Sequence, residues 1–364
     1  VPEFEGSIYD YEEAVDGAIK KPESAEKTFG AVMLEWDNTA RKDNKSHMFS
    51  NFTLLQYKQW LSNQCHRSYH NNKLSTSEKV VLVNAWNEWA EGTYLEPDRK
   101  FGYGYLDATY DVIKNYDASN RTDFAFQKRI ASSKSAIVIH LHYLEVWNDI
   151  IGLLRNAEVV DSDIYITATS LEAIKCVKQH LPSAETMLVE NRGRDILPFL
   201  YALQHITPMG YKSVCKIHSK KSTYREDGDQ LRKRLFDGLL GSKQTVTNIM
   251  NAFSVDESLG MVIPQNSLLK HNDNNMFNNH ERIGFASNQM GVPFGNDIFP
   301  AGSMFWFRPE ALFPLLRMVP EDFDMELGFT DGTTAHAIER IFATVTKQTG
   351  YRVKATVNGS VIGI

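Results

Sequence analysis

The sequence lacks several features that would assign it to a common class at once. Its three cysteines, Cys65, Cys176 and Cys215, are too few and too scattered for a disulfide framework or a cysteine-rich metal site. It has no apolar run near the roughly 20 residues that span a bilayer, and it shows no signal-peptide pattern. A net charge of −6 also excludes the basic excess typical of nucleic-acid-binding proteins. We therefore expect a cytoplasmic protein that binds no nucleic acid.

The length of 364 residues, with 42% hydrophobic composition, exceeds that of one compact domain and can bury a substantial core. A polar stretch at residues 117–123 separates two regions with similar patterns. We therefore predict a first domain over residues 1–118, a linker over 119–130 and a second domain over 131–364.

Strand-like and helix-like patterns alternate along both regions. In the first region the predicted helices are 9–20, 54–67 and 105–116, and the predicted strands are 30–36 and 80–86. In the second region the predicted strands are 136–140, 163–167, 186–190, 213–218 and 260–264, and the predicted helices are 144–156, 171–180, 195–205 and 230–253. Apolar strands joined by helices favour an α/β fold with a mostly parallel sheet. Ligands of such sheets bind beyond the carboxyl ends of the strands, so the residues that follow each strand are site candidates.

Two basic segments follow adjacent predicted strands of the second region. The first comes after the third strand and consists of Asn191, Arg192, Gly193, Arg194 and Asp195. Glycine permits a tight turn, arginines offer planar donor forks, and a helix N-terminus presents unpaired N–H groups. These features suit a phosphate or the edge of a base. An arginine-rich turn with Asp195 as a helix cap is an equally good interpretation.

The second basic segment comes after the fourth strand and contains Lys216, His218, Lys220 and Lys221. Strand alternation places Lys216 and His218 on one side of the strand. Such a cluster can neutralise a diphosphate leaving group without a metal ion. A solvated basic loop is the alternative.

Histidines follow the first predicted strand of the same sheet. His140 and His142 lie there, and Thr167 ends the second strand. We predict that they contact the nucleotide base or the acceptor. A purely structural role is at least as common for such histidines.

Four segments resemble, in order, the rhamnan synthesis F family of bacterial polysaccharide glycosyltransferases: ENRGRDILPFL, CKIHSKKS, FPAGSMFWFRPEAL and DGTTAHAIERIF. The resemblance covers residues 136 to about 352. It implies transfer of a deoxyhexose, typically L-rhamnose from a dTDP donor, to a growing surface glycan such as O-antigen or rhamnan. The implied partners are this nucleotide-sugar and a lipid-linked or oligosaccharide acceptor. Peripheral association with the cytoplasmic face of the inner membrane is a further expectation.

The predicted strand order is also similar to the GT-A class of glycosyltransferases. In that class an Asn-x-Gly element follows the third strand and an Asp-x-Asp metal motif follows the fourth. Here the second position carries His218, Ser219, Lys220 and Lys221. We therefore expect no cofactor and a metal-independent site in which protein cations hold the diphosphate. Dependence on magnesium or manganese stays open as the alternative.

The acceptor side of such a transferase is predicted from two later segments. Ala301, Gly302 and Ser303 precede an aromatic strand, and we predict that they line the site. An inverting transferase also needs a carboxylate that takes the acceptor hydroxyl proton. The candidates, in order of preference, are Asp331, Glu339 and His336. For Asp331 a turn or helix-cap role is the alternative.

The segment 83–97 of the first region is unusual. It places Glu88 and Glu91 three residues apart in an aromatic loop directly after a strand, which is how barrel glycosidases present their acid/base pairs. It resembles the WbsX-type proteins of lipopolysaccharide clusters and, more distantly, endo-α-mannosidase-like barrels. The resemblance implies that Glu91 is the acid/base and Glu88 its partner. The region is much shorter than the about 250 residues of a full barrel, so we predict a partial (β/α) barrel that serves as a scaffold.

Three functions therefore compete. A glycosyltransferase acting through the second domain is favoured over a glycoside hydrolase acting through Glu88 and Glu91. A non-catalytic module that binds a glycan or a nucleotide is the third. The transferase hypothesis requires Arg194, Lys216, His218 and Asp331 to lie at one site.

Overall fold

The computed structural model describes residues 4–116, 125–128, 130–159, 162–219, 228–295 and 297–364. The described chain divides into two units by its internal contacts. The first unit holds residues up to 116 together with Glu190–Arg192 and Asp324–Gly328, and the second unit holds the other described residues. Most of the predicted linker lies outside the described residues, so the predicted domain boundaries remain a prediction.

The first unit alternates short strands with helices. In chain order these are β1 (Ser7–Asp10), α1 (Tyr11–Lys20), β2 (Gly30–Met33), α2 (Thr39–Lys42), β3 (His47–Ser50), α3 (Leu54–His70), β4 (Val81–Asn84), β5 (Asn87–Glu88), β6 (Thr93–Tyr94) and α4 (Gly104–Ile113). β1 pairs with β3 and β2 pairs with β4 in parallel, whereas β5 and β6 are antiparallel. In the described residues these pairs form separate two-stranded sheets, so the partial barrel remains a prediction.

Helix α1 shows how the sequence sets these elements. Asp10 Oδ1 accepts hydrogen bonds from the backbone N–H groups of Glu12 and Glu13, which caps the helix N-terminus. The residues that face inward recur every fourth position and are Tyr11, Val15 and Ile19. Tertiary packing of this stripe, more than intrinsic propensity, holds so short a helix.

The second unit contains a longer series of elements. In chain order these are β7 (Ser135–Leu141), α5 (Trp147–Asn156), β8 (Asp163–Ala168), α6 (Leu171–His180), β9 (Glu185–Leu188), α7 (Ile196–Ile206), β10 (Ser213–His218), α8 (Gly228–Leu240), α9 (Lys243–Val255), β11 (Leu259–Pro264), β12 (Leu268–Lys270), α10 (Asp273–Met276), α11 (His280–Met290), β13 (Ile298–Pro300), β14 (Phe305–Phe307), α12 (Thr334–Gln348), β15 (Arg352–Val357) and β16 (Ser360–Gly363).

Eight of these strands form one sheet in the order β16-β15-β11-β14-β10-β7-β8-β9. β7, β8, β9 and β10 are parallel, as are β11 and β15, while β14 and β16 run antiparallel to their neighbours. All seven residues of β7 are buried, as a strand covered on both faces requires. The predicted α/β fold with a mostly parallel sheet is confirmed.

The order in which the strands are added to the sheet reverses between β7 and β10. β8 and β9 lie on one side of β7, and β10 lies on the other. The loops after β7 and β10 therefore leave the sheet in opposite directions. This switch point is where open α/β sheets bind their ligands.

Strand β14 places the turn at residues 301–303 at the same edge of the sheet. It pairs antiparallel with β10, and Lys216 lies opposite Phe305. The residues just before Phe305 therefore lie beside the end of β10. Helix α12 follows later in the chain, and Thr333 caps its first turn by accepting at Oγ1 from the backbone N–H of His336.

Two predictions differ from the structure. The predicted helix 230–253 is two helices, α8 and α9, because Ser242 caps a new helix by accepting from the backbone N–H of Thr245. The strands before the two basic segments, β9 and β10, were predicted to be adjacent, but β7 and β8 lie between them in the sheet. The aromatic strand predicted after Ser303 is β14. Among the described helices, none combines the length and the apolar character that a membrane span requires.

Candidate functional site

Strands β7 and β10 end side by side at the switch point. His140 and His218 are Cα partners there, and Thr167 of β8 is the partner of His140 on the other side. The three predicted donor-site residues that end strands thus form one row along the carboxyl edge of the sheet.

A buried ion pair lies next to this row. Lys216 is 1% exposed, and its Nζ lies 2.5 Å from Asp195 Oδ2 and 2.7 Å from the carbonyl oxygen of Ser303. Its Nζ also lies between 5.2 and 5.9 Å from the ring centroids of Phe199, Phe305 and Phe342. The charge of Lys216 is therefore balanced inside the protein by Asp195.

The carboxylate of Asp195 stays ionised in this setting. Burial alone would raise its pKa, but nearby His218 and Lys216 outweigh burial and hold the pKa of Asp195 well below its usual range. Lys216 Nζ and Ser303 Oγ both donate to Oδ2, the latter at 2.8 Å. The site therefore contains a fixed negative charge whose hydrogen bonds fall on one oxygen.

The turn at residues 301–303 is bonded on several sides. His218 Nε2 donates to the Gly302 carbonyl oxygen at 2.9 Å, and the Gly302 N–H donates to Glu339 Oε1 at 2.5 Å. Gly302 and Ser303 have φ values of +90° and +46°, the left-handed region that a serine rarely adopts. The bonds to Asp195, Lys216, His218 and Glu339 hold this conformation.

The arginine turn before α7 is strained in a similar way. Gly193 and Arg194 have φ values of +61° and +55°. A Cβ on Gly193 would lie 2.7 Å from atoms of Leu197 and Phe323, so glycine is required there. Arg194 Nη1 donates to the Phe329 carbonyl oxygen at 2.8 Å. A non-glycine residue held in this region is often functional.

The same guanidinium also fixes a histidine. Arg194 Nη1 lies 2.6 Å from His336 Nε2, and because arginine can only donate, the imidazole accepts. Burial, and then the nearby Arg194, lower the pKa of His336 to about 4. His336 is therefore neutral at physiological pH.

Asp331 is held by two residues that the sequence did not single out. Its Oδ1 lies 2.9 Å from Arg340 Nη2 and accepts a bond from Asn279 Nδ2 at 2.8 Å. Arg340 Nη1 lies 3.3 Å from Glu339 Oε2. The only sequence signal for Arg340 is its position one turn after His336 within the DGTTAHAIERIF segment.

The histidines after β7 are each paired with a threonine. His140 Nδ1 lies 3.0 Å from Thr167 Oγ1, and His142 Nδ1 lies 2.9 Å from Thr169 Oγ1. Burial lowers the pKa of His140 to about 3. Ser219, a residue without a predicted role, accepts at Oγ from the backbone N–H of His142 at 2.8 Å. It thereby ties the loops after β7 and β10 together.

Most of the predicted residues of the second unit are connected by direct contacts. Asp195, Lys216, His218, Gly302, Ser303 and Glu339 are directly bonded to one another, and Asp331 joins them through Arg340. Arg194 contacts His336, whose carbonyl oxygen accepts from Arg340 Nη1. Arg194, Lys216, His218 and Asp331 are therefore linked through one network of contacts, and that they form one transferase site stays a prediction. Ala301 lies in the same turn.

Four residues of the two basic segments are not assigned to this network. Asn191 and Arg192 belong to the first unit, where the buried Arg192 Nη1 lies 3.6 Å from Glu190 Oε1. Lys220 and Lys221 lie outside the described residues. In the described part of the chain, no group of three His, Cys, Asp or Glu side chains is arranged to hold a metal ion.

Glu88 and Glu91 lie in the first unit. Glu88 is exposed on β5, and Glu91 Oε1 lies 2.6 Å from Arg41 Nη1. Trp89 stacks on Tyr94 with ring centroids 3.7 Å apart. A cavity of about 620 Å³ in this unit is lined by residues of α3, β4 and α4, and none of the predicted site residues lines it.

Comparison with known proteins gives two family matches. The family described as "Rhamnan synthesis protein F" matches residues 103–351, and the family described as "Glycosyltransferase WbsX" matches residues 1–109. Both resemblances noted in the sequence, and their order, are confirmed.

Two curated relatives also match. Both carry the printed name "Uncharacterized protein WxcX" and come from Xanthomonas campestris pv. campestris, strains B100 and ATCC 33913. Each is 34% identical over 358 residues, which are 97% of this chain and 50% of the relative. The chain thus spans about half the length of these relatives.

The ion pair at the site predicts a large and specific stability effect. Asp195→Asn leaves Lys216 charged and buried without its partner, so we expect the free energy of unfolding to fall by about 3–5 kcal/mol. The double variant Asp195→Asn with Lys216→Met removes both charges and should recover part of this loss. Urea unfolding followed by tryptophan fluorescence measures both.

The control is Glu158→Gln, which removes an exposed ion pair with Lys243 in the same unit. We expect a change within about 0.5 kcal/mol. Equal effects of Glu158→Gln and Asp195→Asn would mean that the buried pair does not stabilise the site.

The buried histidines predict a loss of stability in mild acid. The pKa values of His140 and His336 in the folded chain, about 3 and about 4, lie below the unfolded value of about 6.5. Their contribution is therefore complete above about pH 6.5 and is lost as the pH falls toward the folded values, because the unfolded chain binds protons first. His140→Gln should flatten this dependence, measured as urea midpoints between about pH 7.5 and 5. The exposed His280→Gln should leave the slope unchanged, and an unchanged slope in His140→Gln would contradict the assignment.

Proposed function

We propose, from the premise that this chain belongs to the rhamnan synthesis protein F family, that its second unit transfers L-rhamnose from dTDP-L-rhamnose to a bacterial surface polysaccharide. Both family names support a glycosyltransferase of rhamnan or polysaccharide synthesis. One observation carries the proposal. The four family-like segments, which are far apart in the chain, meet in one bonded network at the switch point of the sheet.

The donor would lie over the carboxyl ends of β7, β8 and β10 in a GT-A-like arrangement. The His140–Thr167 and His142–Thr169 pairs would contact the nucleoside. Asp195 would accept a hydrogen bond from a donor hydroxyl, since its carboxylate is ionised and its own bonds fall on Oδ2. These contacts would orient the donor, and the negative charge of Asp195 is balanced by Lys216.

The diphosphate would be held by the turn at Gly193 and Arg194. That turn precedes α7, whose N-terminus favours an anion, and Arg194 supplies a planar donor fork. We prefer Arg194 to Lys216 for this role, because the charge of Lys216 is already balanced by Asp195. The described residues do not fit a divalent cation, since the buried carboxylate at this edge is bound by Lys216. We therefore retain a metal-independent mechanism.

Asp331 is the proposed base of a single inverting displacement. The hydrogen bond from Asn279 and the salt bridge with Arg340 both fall on Oδ1, and the side chain is 24% exposed, whereas both oxygens of Glu339 contact neighbouring groups. The acceptor hydroxyl oxygen would bond to C1 of the sugar while the bond from C1 to the diphosphate oxygen breaks. The hydroxyl proton would pass to Oδ2 of Asp331.

The acceptor and the place of action follow from the same proposal. A growing glycan, lipid-linked or free, would present its hydroxyl beside Asp331, and a lipid-linked one would bring the protein to the cytoplasmic face of the inner membrane. A hydrolase acting through Glu91 is less well supported, because Oε1 of Glu91 is already engaged by Arg41.

Donor binding gives the direct test of this function. We expect dTDP-L-rhamnose to raise the unfolding temperature, because a ligand present at a hundredfold excess over its Kd stabilises by about 2.7 kcal/mol. UDP- and GDP-sugars should shift it less. Mass spectrometry should detect one added deoxyhexose on an oligosaccharide acceptor, with release of dTDP.

The same assays are run in EDTA and again with magnesium or manganese. Transfer that needs the added metal would contradict the metal-independent mechanism. If no nucleotide sugar binds or reacts, the transferase proposal is wrong and a non-catalytic module remains.

The base assignment predicts a specific loss of turnover. Asp331→Asn keeps the size of the side chain but cannot take the proton, so we expect kcat to fall about 10²- to 10⁴-fold. Donor affinity in the thermal-shift assay should stay unchanged. The control is Glu257→Gln, an exposed carboxylate before the amino end of β11, at the opposite edge of the sheet, where kcat should not change. Normal turnover in Asp331→Asn would exclude Asp331 as the base.

A further inference from the structure

The guanidinium of Arg340 is fixed from three directions. Its Nε donates to the Asn275 carbonyl oxygen at 2.8 Å, and its Nη1 donates to the His336 carbonyl oxygen at 2.9 Å. Its Nη2 lies 2.9 Å from Asp331 Oδ1. The side chain is 11% exposed, and its guanidinium carbon lies 5.7 Å from the centroid of the Phe299 ring. A planar fork held in this way has no freedom to move away from Asp331.

Asn279 reinforces the same geometry. It is fully buried, its Nδ2 donates to Asp331 Oδ1 at 2.8 Å, and its Oδ1 accepts from the Gly332 N–H at 3.3 Å. It thus holds the carboxylate and the turn that carries it. Two donors converge on Oδ1, and no hydrogen bond from a described residue reaches Oδ2 of Asp331.

We propose that Arg340 is a positioning residue for catalysis, which binds Oδ1 of Asp331 and so aims Oδ2 at the acceptor hydroxyl. The inference rests on the proposed function, since it gives Asp331 the role of the base. Arg340 itself touches neither substrate. Its contact through Nη2 fixes the position of Oδ1, so that the proton transfers to Oδ2 along a set direction.

A link to Glu339 extends this role to the sugar side of the site. Arg340 Nη1 lies 3.3 Å from Glu339 Oε2, and Glu339 Oε1 accepts from the Gly302 N–H. Arg340 therefore connects the base to the turn at residues 301–303. Loss of the guanidinium would free Asp331 to move and would also remove the contact that holds Glu339 against this turn.

A purely structural arginine predicts different kinetics. Such a residue would stabilise the fold, and its removal would lower stability with little effect on kcat in the molecules that remain folded. A positioning residue acts through Asp331, so its removal should cost nothing further once Asp331 can no longer act as a base. The two roles are separated by a double-mutant cycle.

The test compares Arg340→Ala, Asp331→Asn and the double variant in the rhamnosyl-transfer assay. We expect Arg340→Ala to lower kcat about 10²-fold, with the KM for dTDP-L-rhamnose nearly unchanged, because a misplaced base affects the chemical step. The double variant should be no slower than Asp331→Asn alone. Millimolar guanidinium should restore part of the kcat of Arg340→Ala and none of the kcat of Asp331→Asn.

Arg308→Ala is the matched control. Arg308 is also buried, donates to the carbonyl oxygens of Leu259 and Phe253, and lies 5.8 Å from the Phe253 ring, but it follows β14 at the opposite edge of the sheet. Its loss should lower the unfolding temperature. Its kcat should stay at the wild-type value, with or without added guanidinium.

Arg340→Lys covers the case in which Arg340→Ala does not fold. It keeps the cation without the fork and should retain the KM while its kcat falls.

Wild-type kcat in a folded Arg340→Ala or Arg340→Lys would overturn the inference, as would additive losses in the double variant. Either result leaves the proposed function intact if the wild type transfers the sugar and Asp331→Asn does not. A wild-type chain that transfers no sugar, or an active Asp331→Asn, would overturn the assigned function or base and this inference with it.

Discussion

The buried ion pair between Lys216 and Asp195 is the contact on which the rest of the site depends. Removing two charges from water costs several kcal/mol for each ion, and their attraction offsets this only when the geometry is good and further bonds satisfy the groups. Here Ser303 supplies both kinds of further bond, with its hydroxyl to Asp195 and its carbonyl oxygen to Lys216. A pair that requires a third segment to complete it also holds that segment in place. Three regions of the chain are thereby fixed at one edge of the sheet.

The topology of the sheet explains why these regions can meet. The parallel strands β7 and β10 bring two histidines together, and the antiparallel β14 returns the chain to the same edge. If β14 were parallel to β10, the turn at residues 301–303 would lie at the opposite edge, away from Lys216. One reversed strand in an otherwise mostly parallel sheet therefore determines which small residues lie beside Lys216. The left-handed φ values of Gly302 and Ser303 follow from the close approach of this turn to its four partners.

Periodicity and strand ends predicted much of this from the sequence. The strand at 213–218 has the predicted bounds, but the basic segments follow β9 and β10, which are consecutive in the chain and are separated in the sheet by β7 and β8. The role of Lys216 could not be predicted in the same way, because a lysine in a basic segment looks exposed, and only the three-dimensional packing shows that Asp195 and three phenylalanines enclose it. Arg340 was missed for a related reason. Its partners Asp331 and Asn275 lie 9 and 65 residues away in the chain, a pairing that no local spacing encodes. The break between α8 and α9 depends on the cap formed by Ser242. One serine is a weak sequence signal when the apolar helical pattern continues on both sides of it.

The turn at residues 301–303 also bears on how such a site can diverge. It is bonded to Lys216 and His218 of β10, to Asp195 and to Glu339, which belong to three other segments, so a change in any one of them disturbs the others. A loop of this kind cannot be exchanged between relatives as an independent part. The pair of His142 and Thr169 is different, because it is joined only through side chains, so a change there leaves the bonds of this turn in place.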